Sequence, residues 1–279
     1  MISIQRFKRQ FMSHPMSAGL YMLPDVIIIG AMKCGTTSLF RYLEKHPDFF
    51  IPKMKEIHYF DYNYDKGLEW YRRHFPTKLK KWKCRLKGQR IITGEASPYY
   101  MFHPHARKRI ASTLPGVKLI ALLRNPVDRA YSHYQNEIRH NREYLTFQEA
   151  IEAEPHRLAG ELEKMLEDEN YFSFHHGHHG YLSRGIYVEQ LKVWHDYIPK
   201  EHLLILDSET FFAETQKVYD TVCALLELPP YILKEFKPHN PGEYQQKMPA
   251  ELRKKLLDYY VPHNEKLYDY LGRKFDWNK

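Results

Sequence analysis

Lys33, Gly35, Thr36, Thr37 and Ser38 crowd into one short loop after an apolar run, in the stretch PDVIIIGAMKCGTTSLF (residues 24–40). A lysine, a glycine and three hydroxyls at the start of a helix make an anion cradle. Backbone N–H groups point outward there, and the helix dipole adds about half a positive charge. The chemistry to expect is the binding of phosphate or a similar group. A Walker A loop, G-x-x-x-x-G-K-[ST], carries its lysine after the second glycine and a magnesium-binding hydroxyl next. Gly30 and Gly35 have that spacing, but Thr36 stands where the lysine belongs and Lys33 lies inside the loop. Such a loop can hold a terminal phosphate-like group without the arrangement that couples lysine and Mg²⁺ on a triphosphate.

A second anion site is readable at Arg124, which closes the apolar run KLIALL, with Ser132 eight residues on. The guanidinium offers a forked donor and the serine a hydroxyl. The plain alternative for Arg124 is an ion pair with Asp128 one turn away. Two anion sites at neighbouring strand ends suit a nucleotide phosphorylated at both its 5′ and 3′ positions. Glu56 and His58 in KEIHYFD (residues 55–61) and Glu95 in GEASPYY (residues 94–100) are candidates for proton transfer or for holding a second reactant. His175, His176, His178 and His179 flank Gly177 in HHGHHG. A loop over the site or an ordinary exposed loop fits them better than a built metal site, because no carboxylate or cysteine pattern accompanies them.

These residues need a scaffold of alternating strands and helices. Val26–Ile29 is β-branched and uninterrupted, as in a strand buried on both faces. A helix through Leu39 and Leu43 follows. Residues 46–90 read as irregular, rich in Tyr, Phe, Lys and His. Ile91–Thr93 reads as a second strand ending at Gly94 and Glu95, Pro104–Thr113 as a helix, Lys118–Leu123 as a third strand. Pro126 suits a helix start. Residues 146–168 read as one helix, Arg184–Tyr197 and Gln216–Leu226 as helices around the strand Leu203–Leu206, and Pro249–Leu271 as the last long helix. The fold class is α/β, in three layers: a central parallel sheet flanked by helices. Ligands then sit beyond the carboxyl ends of the strands.

The chain has 279 residues, 43% of them hydrophobic, and a net charge of +8. We expect an N-terminal extension over residues 1–24 and one domain over 25–279. The basic balance favours anionic ligands, and a bound nucleotide would account for much of it. No long basic run or nucleic-acid module stands out, so no nucleic-acid partner is expected. Cys34, Cys84 and Cys223 are odd in number and scattered, which argues against a disulfide framework and fits a reducing compartment. No stretch reaches the roughly 20 apolar residues a membrane span needs. The N-terminus is basic and mildly amphipathic but lacks an apolar signal core. A soluble, cytoplasmic protein is the expectation.

The motifs IIIGAMKCGTTSLFRYLEKHP, KEIHYFD, GEASPYY, LIALLRNPVDRAYSHY, YLSRGIYVEQLKVW and PHNEKLYDYLGRKFDW extend from about Asp25 to Trp277. Together they resemble the PAPS-dependent sulfotransferases (PAPS is 3′-phosphoadenosine-5′-phosphosulfate), in the branch of the heparan sulfate enzymes and their bacterial relatives. The resemblance implies the P-loop-like sulfotransferase fold, PAPS as co-substrate, adenosine 3′,5′-bisphosphate as product and no required metal. It places the 5′-phosphosulfate on Lys33, Cys34, Gly35, Thr36, Thr37 and Ser38, and the 3′-phosphate on Arg124 and Ser132. Glu56 matches the catalytic base of the heparan sulfate group and His58 a histidine beside the acceptor, with His58 as the alternative base. Glu95 could orient the acceptor. Tyr181 could line the acceptor pocket and Tyr187 the adenine pocket, with aromatic packing the equal alternative. Lys237 and Asn240 match a loop that closes over the cofactor. One departure stands out. Ala96 follows Glu95, where the heparan sulfate enzymes carry lysine (EKSP), so a heparan-type acceptor does not transfer directly. The acceptor is a small molecule or carbohydrate with a hydroxyl or amine; a lipid or polyketide-type hydroxyl and a phenol are the other candidates. The competing readings are a P-loop kinase, which would need lysine at position 36 and a strand-end aspartate, and a nucleotide- or polyanion-binding protein without turnover.

Overall fold

A computed structural model describes residues 19–236 and 247–277. Lys237 and Asn240, and residues 1–18 of the expected extension, lie outside the described residues. Residues 19–24 do not stand apart from the domain: Tyr21 bridges Thr77, and Met22 is buried in the main core.

The order of elements is β1 (Val26–Gly30), α1 (Thr36–Leu43), β2 (Phe49–Phe50), α2 (Gly67–Arg72), α3 (Lys78–Leu86), β3 (Ile92–Ala96), α4 (Ala106–Thr113), β4 (Lys118–Leu123), α5 (Pro126–Arg139), α6 (Phe147–Leu158), α7 (Glu161–Glu167), α8 (Phe174–His178), α9 (Tyr187–His195), β5 (Leu203–Asp207), α10 (Ser208–Ala213), α11 (Thr215–Leu225) and α12 (Ala250–Leu271). The five strands form one parallel sheet in the order β2-β3-β1-β4-β5. β1 is central and every residue of it is buried. That is why its sequence shows no alternation: both faces are covered by helices. Burying each of its Val and Ile side chains is worth about 1.5–3 kcal/mol. The fold is the three-layer α/β arrangement expected.

Several elements differ from the sequence reading. β3 runs on through Gly94 and Glu95 to Ala96, because Gly94 pairs with Val26 so closely that a Cβ there would lie 2.4 Å from the Val26 carbonyl oxygen. Residues 46–90 contain β2, α2 and α3. The helix expected over 146–168 is two, broken at Ala159 and Gly160, where the glycine takes φ 74°. The histidine loop contains α8, capped by Ser173, whose hydroxyl accepts from the His176 N–H. The helix expected over 184–197 is the shorter α9. At α5 the expectation holds: Pro126 opens the helix, and Asn125 caps it by accepting from the Val127 N–H at 3.0 Å. No helix among the described residues is long and apolar enough to cross a membrane.

Candidate active site

Three segments that follow β1, β4 and the edge strand β2 meet around one cleft of about 900 Å³. The loop after β1 supplies Lys33, Gly35, Thr36 and Thr37; the end of β4 and helix α5 supply Arg124 and Ser132; the segment after β2 supplies Glu56 and His58. All eight are residues singled out from the sequence.

The β1 loop is shaped by two left-handed residues, Lys33 (φ 71°) and Gly35 (φ 90°). Gly35 precedes α1, and a Cβ there would press on the Phe212 ring at 3.0 Å. The following N–H groups open toward the cleft. Lys33 donates through Nζ to Asn136 Oδ1 at 3.3 Å. Burial, aided by the charges of Arg139 and Arg124, brings its ammonium down to about 8. Arg124 Nη1 approaches the Lys33 carbonyl at 3.4 Å, which ties the two anion sites together. Asp128 is taken by Arg253 on α12, so the helix pair considered for Arg124 does not form.

The KEIH segment is pinned by the end of β3. Ala96 N–H donates to the Lys55 carbonyl (2.9 Å), Ile57 N–H to Glu95 Oε2 (3.3 Å), and His58 N–H to Ser97 Oγ (3.1 Å). His58 is held in the left-handed region at φ 52°, an uncommon conformation for a non-glycine residue. Asn63 fixes it there by donating to the carbonyls of Ile57 and His58. The His58 ring lies 2.7 Å from Asp61 Oδ2 on one side and 3.4 Å from Glu56 Oε2 on the other. Burial lowers its pKa, but the two carboxylates more than offset this and raise it to about 10. Burial raises Glu56 in turn, while His58 and Lys55 hold it down at about 2. Lys55 Nζ bonds both Glu56 (2.5 Å) and Thr37 Oγ1 (2.7 Å). At neutral pH the row is therefore a carboxylate, an imidazolium and a carboxylate, with His58 already protonated.

Other expected residues lie beneath the cleft instead of on its wall. Glu95 is fully buried, accepting from Tyr71 Oη, Ser97 Oγ, Tyr100 Oη and Ile57 N–H. That correction follows from its place inside β3, where no second reactant can reach it. Burial pushes its carboxyl up to about 7. Tyr181 is buried in a second apolar cluster beside α5 and α12, donating to Glu143. Tyr187 is buried and donates to the Arg124 carbonyl at 2.9 Å, so it supports the strand end from below. Cys34 points away from the cleft, with Sγ 3.8 Å from Tyr187 Oη and its thiol raised to about 12 by burial. The Ser38 side chain is buried as well. Neither Cys34 nor Ser38 lines the cleft; only their backbone N–H groups belong to the loop.

The cleft also holds residues the sequence reading passed over. Asn136 lies one turn past Ser132 on α5, and Lys55 adjoins Glu56; helical spacing and adjacency pointed to both. Glu209 follows the end of β5, a strand tip like that of Arg124. Arg184, buried, stands 4.8 Å over the Tyr99 ring and donates to the His176 and Gly177 carbonyls, fixing α8 at the cleft wall. His178 meets buried Glu137 at 3.1 Å. The histidine segment is thus an ordered wall. Among the described residues no group of three or more His, Cys, Asp or Glu side chains could hold a metal ion.

Residues 23–260 match the family model described as the sulfotransferase domain. Among curated proteins, the chain is 30% identical to the membrane-associated sulfotransferase kil1 of Dictyostelium discoideum, over 94% of this chain and 68% of that protein. It is also 30% identical to heparan sulfate glucosamine 3-O-sulfotransferase 3B1 of Mus musculus, over 94% of this chain and 66% of that one. The chain spans about two thirds of the length of these relatives. Among solved structures, a sulfotransferase from Alicyclobacillus acidocaldarius superposes with a TM-score of 0.68 at 28% identity, covering 92% of this chain and 100% of that one.

Proposed function

We propose that this chain, which belongs to the sulfotransferase family, transfers sulfuryl from PAPS, and that Lys33, Arg124 and Glu56 carry the transfer in the cleft described above. The observation that supports this most is the meeting of three sequence-distant segments on one cavity: two cationic strand-end sites and one carboxylate. Five lysine and arginine side chains line it (Lys33, Lys55, Arg124, Arg142 and Arg184), besides His58, against three carboxylates (Glu56, Glu137 and Glu209). Burial brings the Lys33 ammonium down to about 8, and an anion bound beside it would favour its charged form. The residues fit a nucleotide with anionic groups at two ends.

Lys33, Thr36, Thr37 and the loop N–H groups would hold the 5′-phosphosulfate, and Arg124 and Ser132 the 3′-phosphate. PAPS supplies an activated sulfuryl group, and the product is adenosine 3′,5′-bisphosphate. Lys33 and the loop donors stabilise charge on the departing phosphate; one such donor is worth about 10²–10³ in rate. We assign the general base to Glu56, which is ionised at the cleft and takes the proton of the acceptor hydroxyl or amine. His58, which the two carboxylates keep protonated, stands 3.4 Å from Glu56 Oε2 and is oriented by Asp61, so the base role falls to Glu56. Lys55 joins Glu56 to Thr37, so an anion bound at Thr37 would share this cation with Glu56 and leave the carboxylate more basic. No metal takes part in this scheme.

The acceptor enters between Glu56, His58, Tyr62, Pro98 and His178. Ala96 is a buried methyl group, so the cation that heparan sulfate enzymes carry at this position is missing and a different hydroxyl or amine acceptor is favoured. Three free thiols, Cys34, Cys84 and Cys223, support a reducing compartment. The test is transfer of labelled sulfuryl from PAPS into acceptor pools. Wild type should label at least one pool. Lys33→Ala should lose about 10²–10³ in rate, and Glu56→Gln about 10²–10⁴ while still binding adenosine 3′,5′-bisphosphate. Undiminished transfer by Glu56→Gln would remove it as the base.

A further inference from the structure

The most basic feature of the molecule lies away from the cleft. Residues 78–90 (KLKKWKCRLKGQR) carry seven cations, Lys78, Lys80, Lys81, Lys83, Arg85, Lys87 and Arg90, and no acid. Most of them stand on α3, a helix with no buried residue. Its apolar side chains face water: Leu79 is 58% exposed, Trp82 56% and Leu86 67%. At about 100° per residue these three fall on one stripe, and Cys84, half-buried against the core, falls on the opposite side. The same count puts Lys78, Lys81 and Arg85 along one margin of the stripe and Lys80, Lys83 and Lys87 along the other. Among the described residues, Lys81 (to Asp25, 3.9 Å) and Arg90 (to Glu227, 2.8 Å) are the members of this set that meet a carboxylate. A water-facing helix gains nothing from leucine and tryptophan at these three positions.

We propose that α3 is a peripheral docking surface for an anionic lipid bilayer. Leu79, Trp82 and Leu86 enter the headgroup region, where tryptophan is favoured, and the two cationic margins meet acidic headgroups. A nucleic acid would use the charges but not Leu79 and Leu86, and an acidic protein would need a shaped counterpart for the stripe; a fluid bilayer satisfies both features at once. The cleft is not covered by this docking. α3 lies beside Asp25, just before β1, whereas the cleft is built from residues beyond the carboxyl ends of the strands. A chain held through α3 keeps its active site open to water.

Co-sedimentation of the full chain with vesicles tests this. Phosphatidylcholine vesicles with about 30 mol% phosphatidylserine should bind it at least tenfold more tightly than phosphatidylcholine alone, with a blue shift of Trp82 emission that Trp82→Phe removes. Leu79→Ser/Trp82→Ser/Leu86→Ser, and separately Lys78→Glu/Lys83→Glu/Lys87→Glu, should each weaken binding at least tenfold. Both variants should keep the wild-type melting shift with adenosine 3′,5′-bisphosphate, which shows that they fold. Absence of vesicle binding by wild type, binding that survives the apolar variant, or a Trp82 emission that does not move on the vesicles would overturn the proposal. Any of the three would leave charge-only polyanion binding, an acidic protein partner or the chain's first residues as the explanation for the surface.

Discussion

Lys33 is a residue whose charge state the fold brings close to the working pH range. Burial and two neighbouring arginines bring its ammonium down from 10.5 to about 8. A bound phosphate favours the charged form, so the nucleotide must supply what the protein withholds. The sign follows. Below about pH 8 Lys33 is charged and affinity is full; above it, affinity falls by up to tenfold per pH unit, and binding takes up a proton from solution. The phosphates themselves finish ionising near pH 6, so the window above 8 belongs to the protein. Titration calorimetry of adenosine 3′,5′-bisphosphate between about pH 7 and 9.5 should show this slope in wild type and lose it in Lys33→Arg. Glu56 and His58 behave oppositely: each stabilises its partner's charge, so Glu56 stays ionised down to about pH 2 and His58 stays protonated up to about pH 10. A fall in turnover at mildly acidic pH cannot then come from Glu56 in the free enzyme.

At the scale of elements, the site depends on how strand ends hold loops. Asn125 caps α5 and also donates to the Trp277 carbonyl at 2.9 Å, joining the strand-end anion site to the chain's C-terminal segment. Asn125→Ala should cost about 1–2 kcal/mol in urea unfolding. Glu95 plays the same part inside β3. Glu95→Ala leaves Tyr71, Ser97 and Ile57 without their acceptor and should cost at least about 2 kcal/mol; it should lower kcat through the displaced KEIH segment more than it raises acceptor KM. The sequence showed the elements that bury both faces or carry their own punctuation. β1, β4 and β5 are continuous β-branched or leucine runs, and α5 announces itself by Asn125-Pro126. It hid β2, a two-residue strand with no pattern to read, and α3, whose charges resemble a loop because its apolar stripe faces outward. Motif residues on loops, such as Lys33 and Arg124, were legible because backbone geometry alone places them. Tyr181 and Tyr187 were not, since a tyrosine near a motif packs inward as readily as it lines a cleft.

Across the whole molecule, the net charge of +8 has two sources of different kind. The cleft gathers buried or half-buried cations around a space of about 900 Å³, while residues 78–90 alone hold seven exposed ones. A bound nucleotide answers the cations of the cleft, and the seven on α3 and its exit are a separate share of the charge. Ligand binding should stabilise the chain as a unit, because β1, β4 and α5 all end at the cleft. At about 100 times its dissociation constant, adenosine 3′,5′-bisphosphate should add about 2.7 kcal/mol and raise Tm by several degrees, more than ATP does and without added Mg²⁺. The central claim is that Arg124 and Ser132 read the 3′-phosphate while the β1 loop reads the 5′ end. The direct measurement is a ligand-by-mutant comparison of dissociation constants. Arg124→Ala should weaken adenosine 3′,5′-bisphosphate at least tenfold and leave adenosine 5′-monophosphate, which has no 3′ group, nearly unchanged. Equal weakening of both nucleotides, or of neither, would contradict the account.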